Sequence, residues 1–140
     1  MVATCTDNAL VVEGDDDGDV TVEGSLRGCL SPLNGDIRSA TVSGSGHVLV
    51  ESGVLLVVRT TDTIEWNTGA VTTETVTRTF TGASTIVATG TGATLSGLFH
   101  PSAEAEEGAG TRTNPAAVRS ADHIEWHVEM GMVVQLIESP

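Results

Sequence analysis

From Asp122 to Met130 the chain reads Asp-His-Ile-Glu-Trp-His-Val-Glu-Met. On an extended strand successive side chains point to opposite faces. His123, Glu125, His127 and Glu129 then share one face, and Ile124, Trp126, Val128 and Met130 the other. Residues two apart on a strand lie about 6.6 Å from each other along the chain. Two imidazoles, or an imidazole and a carboxylate, can reach one divalent ion across that gap. A zinc-type site built from His123, Glu125 and His127, with His47 or His100 from another strand, is the metal chemistry this pattern allows. A solvated polar face above a buried Trp is the plainer reading of the same residues.

A second pattern is the tripeptide Ile-Glu-Trp, present at 64–66 and again at 124–126, with Asp62 and Asp122 two residues before each. Two equivalent strands that place Trp66 and Trp126 inward would put Glu65 and Glu125 outward. With the faces reversed, Glu65 and Glu125 would become an interior carboxylate pair, and such pairs serve as acid and base when burial separates their proton affinities.

Asp15-Asp16-Asp17-Gly18-Asp19 is dense enough in carboxylates to attract calcium. It lacks the twelve-residue frame and closing Glu of the helical calcium loop, so a hydrated acidic turn is the default expectation. Ser43-Gly44-Ser45-Gly46 lies within a strand pattern and is no nucleophile elbow. No Gly-rich loop leads into a helix to cradle phosphate.

The elements that would position these residues are strands. Threonine and valine alternate from Ala70 to Leu95, and β-branched side chains suit a pleated surface better than a helix. Two long antiparallel strands meeting near Gly82 are expected there. Shorter strands are expected over 8–13, 20–26, 37–50 and 54–66. The clearest turn is Asn34-Gly35, and Gly44 and Gly46 point to a bulge or bend. The apolar run Val54 to Val58 reads as a strand covered on both faces. Residues 101–117, rich in Pro, Gly, Ala and Glu, break the alternation and read as one long loop. Ile124 to Ile137 closes the chain as a long strand or a hairpin bent at Gly131.

About eight strands joined by short turns define an all-β fold. An antiparallel barrel is favoured because closure removes exposed edges, with a two-sheet sandwich as the alternative. One domain spanning residues 1–140 is expected.

The formal net charge of −13 and the scatter of six arginines, with no lysine, argue against nucleic acid or an anionic membrane as partner. No stretch reaches the ~20 apolar residues of a spanning helix, and no basic-then-apolar leader opens the chain, so it reads as cytosolic or as a trimmed mature form. Cys5 and Cys29, if paired, close a loop contributing roughly 3 kcal/mol. An even cysteine count in a small β-rich chain fits an oxidising compartment, with two free thiols as the other possibility.

Cys5, the Gly28-Cys29 pair, Gly44-Ser45-Gly46, Ile64-x-Trp66-Asn67-x-Gly69, Thr72-Thr73 and Gly97-Leu98-Phe99 occur in an order that resembles a group of small exported Thr/Gly-rich β proteins of actinobacteria. The likeness spans roughly residues 3 to 100. It implies export, a leader cleaved near Ala3 and an oxidised cysteine pair, and it carries over no catalytic residue. This chain departs from the group in lacking mid-chain cysteines, in Glu65, and in everything from Ser120 onward.

The leading expectation is a secreted binding or structural module without catalysis and without a cofactor. The alternative is a barrel enclosing an apolar ligand, of cyclase type, in a pocket of Trp66, Trp126, Phe99, Met130 and Met132 with Glu65 and Glu125 as its polar groups. A self-assembling shell or virion component is the third, so the candidate partners are a small apolar ligand or further copies of the chain.

Overall fold

The computed structural model describes residues 1–113 and 124–138. Eight strands follow one another: β1 (Ala3–Asp15), β2 (Asp19–Leu30), β3 (Ala40–Glu51), β4 (Leu55–Trp66), β5 (Val71–Thr81), β6 (Thr85–Gly97), β7 (Ser102–Thr113) and β8 (Ile124–Glu138). Each pairs antiparallel with the next, and β8 pairs with β1, so the sheet closes into a barrel in chain order. The sandwich alternative is excluded.

Stepping between paired residues from Trp126 through Gly14, Val20, Gly46, Thr60, Val76, Gly92 and Glu104 returns to β8 at Leu136, ten residues further along. That stagger tilts the strands steeply around an interior that eight strands make just wide enough for side chains. Alternation is regular. On β5, Thr72, Glu74, Val76, Arg78 and Phe80 point in, while the threonines at 73, 75, 77 and 79 point out and are half-buried. On β8, Trp126, Val128, Met130, Met132, Val134 and Leu136 are buried.

Three expectations change. Residues 102–113 of the expected loop form β7, a full member of the barrel; residues 114–117 lie outside the described residues. Its sequence Ala-Glu-Ala-Glu-Glu-Gly disguises a strand because the inward positions carry Glu104 and Glu106, while the outward ones are Ala103, Ala105 and Glu107. The run Val54 to Val58 is not covered on both faces: Leu56 and Val58 are fully buried, Leu55 and Val57 are half-buried, and Val54 is exposed. The break in β3 falls between Val48 and Val50 and not at Gly44 and Gly46, which pair in regular register. β8 runs unbroken through Gly131.

The front end is stapled. Cys5 and Cys29 are partners across β1 and β2 and are joined as a disulfide. Just beyond, β1 bulges between Cys5 and Asn8. The buried Asn8 amide satisfies the backbone there, donating to the Cys5 and Met132 carbonyls at 2.7 and 2.8 Å and accepting from the Arg27 N–H at 3.0 Å.

Candidate functional site

Halfway along the barrel the interior is charged. β4 contributes Thr60 and Asp62, β5 contributes Glu74 and Arg78, and β7 contributes Glu104 and Glu106, all of them buried. Arg78 is the hub. Its Nε donates to Glu106 Oε1 at 2.7 Å, and its Nη2 to Glu106 Oε2 at 2.9 Å and to Asp62 Oδ2 at 2.8 Å. Its Nη1 donates to Thr60 Oγ1 at 3.1 Å, and Thr60 in turn donates to Asp62 Oδ1 at 2.7 Å. Bidentate pairing of this kind is among the strongest that side chains make.

Glycine makes the room. Gly90 lies between Arg78 and Glu106 in one transverse row of partners, and a Cβ there would stand 2.9 Å from Glu106 Oε1 and 3.3 Å from Arg78 Cγ. Gly44, the partner of Asp62, is similar: its Cβ would meet Asp62 Oδ1 at 2.0 Å.

Four carboxyls face one guanidinium, and they do not share it equally. Burial would raise Glu106, but the charge and hydrogen bonds of Arg78, with help from Glu104, hold it below the usual value. Burial pushes Glu74 up to about 8, with Glu106 and Asp62 adding to the shift and Arg78 opposing it. Burial, then Glu106 and Glu74, raise Glu104 well above the ordinary range. Arg78 is fixed in its charged form because Glu106 and Asp62 more than offset the cost of its burial. Neither Glu104 oxygen, nor Oε2 of Glu74, has a hydrogen-bond partner among the described residues. With both groups ionised, Glu104 and Glu106 have no proton to offer each other; a proton on Glu104 supplies a donor. Oxygens of Glu74, Glu104 and Glu106 lie within 4.8 Å of one another, so among the described residues these three are also the buried set able to share a cation.

The residues singled out from sequence are dispersed. Trp66 ends β4, where its ring meets Phe99 edge-on at 5.5 Å and its Nε1 donates to Thr72 Oγ1 at 2.8 Å. Trp126 lies near the start of β8, which runs in the same direction as β4, so it packs at the opposite end of the barrel. There it rests on Gly14, whose Cβ would come within 2.3 Å of the indole. Met130 and Met132 point inward between the two ends. The expected shared aromatic pocket is therefore not assembled. Glu65 is on the outer wall, lining an open hollow of about 400 Å³ with Arg27, Thr41 and Asn67.

For the metal pattern, His123 and the Glu125 side chain lie outside the described residues. His127 faces outward, as the alternation predicts, but both ring nitrogens are engaged: Nδ1 with Glu13 at 2.8 Å and Nε2 with Glu129 at 3.0 Å. Partial burial disfavours its charge, yet the hydrogen bonds and charges of Glu13 and Glu129 prevail and raise its proton affinity. An imidazolium donating from both nitrogens has no lone pair for a metal. His47 pairs with Asp19 at 3.3 Å, and His100 meets Thr94 at 3.0 Å at the disulfide end. In the acidic turn, Asp15 Oδ1 accepts the N–H groups of Asp17 and Asp19 at 2.9 Å, which shapes the β1–β2 hairpin.

The central cluster escaped the sequence reading, although a signal was present. Glu74 and Arg78 are in phase with Val76 and Phe80, and Asp62 is in phase with Ile64 and Trp66. Comparison with known proteins finds no matching family model, no matching curated protein and no matching solved structure.

Proposed function

We propose that this chain is an exported, disulfide-stapled β-barrel that works through its outer wall, as a binding or structural module with no chemistry of its own. One observation carries the reading: on β7 Glu104 and Glu106 point in, while Ala103, Ala105 and Ala109 point out beside the exposed Glu107. Inside, Glu104 and Glu106 help fill the middle of the barrel with a charged cluster. An apolar ligand spanning from Trp66 to Trp126 would have to displace it. Outside, Ala93, Ala103, Ala105 and Ala109 form a stretch of small side chains interrupted by exposed Glu107 and bordered by exposed Val87, Leu95, Val133 and Ile137. Exposed apolar side chains grouped in this way are what interaction faces present.

The oxidised Cys5–Cys29 pair supports export, since disulfides persist in oxidising compartments. Apolar side chains inside and threonines outside are the reverse of a lipid-embedded barrel, which favours work in water.

Native mass spectrometry on the oxidised protein from its own host tests this reading. The expected spectrum contains the chain two hydrogens lighter than the dithiol form, with no apolar small molecule bound one to one. A stoichiometric apolar ligand would favour the enclosing barrel instead. An Ala105→Arg change is expected to weaken binding of any macromolecular partner or second copy without unfolding the barrel.

A further inference from the structure

We infer that the barrel interior contains a binding site for one hard divalent cation, held by Glu74, Glu104 and Glu106. It stands on geometry and on hydrogen-bond accounting. The three carboxyls come from β5 and β7, and their oxygens lie within 4.8 Å of one another. Both oxygens of Glu104 and Oε2 of Glu74 have no partner among the described residues, while each of these side chains is 2 % exposed. Buried polar atoms are nearly always satisfied, so orphaned ones on carboxyls this close together call for an explanation.

Arg78 does not supply it. Its donors go to Asp62, Glu106 and Thr60. Asp62 and Glu106 already share its single positive charge, so Glu74 and Glu104 are left without a counter-charge, and a divalent ion would bring two positive charges to them. Glu106, held in place by the guanidinium, offers its remaining lone pairs as a fixed third ligand, and an ordered ligand supported from behind binds metal better. With oxygen the sole donor type, the site selects ions of the calcium, magnesium and manganese class over zinc or copper. The rival occupant is a pair of protons, one on each orphaned carboxyl.

The experiment separates the two. The full disulfide-intact chain is unfolded in guanidinium with EDTA, desalted, and refolded at pH 8.5 with EDTA or with 1 mM Ca²⁺, Mg²⁺ or Mn²⁺. High pH is used because carboxylate ligands must shed protons to bind metal. The expected result is that one of these ions raises the melting temperature by about 5 °C or more when present at a hundred times its dissociation constant. Elemental analysis after gel filtration should then find one equivalent retained. Glu104→Gln keeps the shape, removes a charge, and is expected to abolish both the shift and the retained ion. A Glu65→Gln control on the outer wall should preserve them. No shift and no retained ion with any of the three metals in the wild type would overturn the inference and leave protons as the occupants. An unchanged shift in Glu104→Gln would overturn it as well.

Discussion

Arg78 and Glu106 join β5 to β7 across the bare backbone of Gly90, through hydrogen bonds of 2.7 and 2.9 Å that water does not reach. The two strands are not neighbours. The contact exists because the strand between them carries no side chain at the crossing, so a single glycine determines whether the charged middle of the barrel can form.

Gly90→Ala is therefore expected to lower stability by about 1–3 kcal/mol, the usual cost of crowding a packed interior. The added methyl would stand 2.9 Å from Glu106 Oε1. Urea unfolding checks this, and Gly35→Ala in an open turn, where nothing lies within 4 Å of the new Cβ, is the control. Equal stabilities of the two variants would show that the crossing does not need glycine.

The metal-free protein is expected to lose stability as pH rises from about 4.5 to 8. Glu74 has a folded value near 8 against an ordinary value of 4.5. Between those limits the folded chain keeps a proton that the unfolded chain has released, so the slope of stability against pH is negative. The contribution is complete below 4.5 and is lost through 8, amounting to a few kcal/mol on the order of 1.4 kcal/mol per pH unit. Glu74→Gln should flatten this part of the curve. An unchanged slope in that variant would assign the effect elsewhere.

On the outer wall, His127 between Glu13 and Glu129 is expected to titrate above its ordinary value of 6.5. What its charge adds to stability is present in full below 6.5 and disappears as pH rises through the folded value. An NMR titration of the ring carbons reads it directly. Glu13→Gln combined with Glu129→Gln should bring the midpoint back toward 6.5. A wild-type midpoint at or below 6.5 would contradict the paired geometry.

Reducing Cys5–Cys29 is expected to cost roughly 3 kcal/mol, the chain-entropy value for a loop of this length. Thiol titration of the native protein should find no free sulfhydryl. Two titrating thiols would remove the staple and, with it, the support for export.

The all-β class and the inward placement of both tryptophans follow from alternation, which is visible in the sequence, whereas closure is favoured because it removes exposed edges. The Thr-rich β5 illustrates the alternation: apart from Val71 its outer face is five threonines, so the phase of its inner face is plain. That same phase places Glu74 and Arg78 inside, but charge is normally read as exposure, so the pattern's conclusion was resisted by the residue types. β7 is hidden for the matching reason, because Glu104, Glu106 and Arg112 point in while its alanines point out. The common pocket failed on a different ground: alternation tells which face a residue occupies, not which end of the barrel. Trp66 and Trp126 have the same face and opposite ends.

A double-mutant cycle between Arg78 and Glu106, using Arg78→Met and Glu106→Gln, tests the charged interior most directly. Removing Arg78 alone leaves buried carboxylates unpaired and is expected to cost about 3–5 kcal/mol. Removing both partners should cost less than the two separate losses together, with a coupling of about 2 kcal/mol or more in urea unfolding. Losses that add to within about 0.5 kcal/mol would mean that the two side chains do not meet inside the barrel.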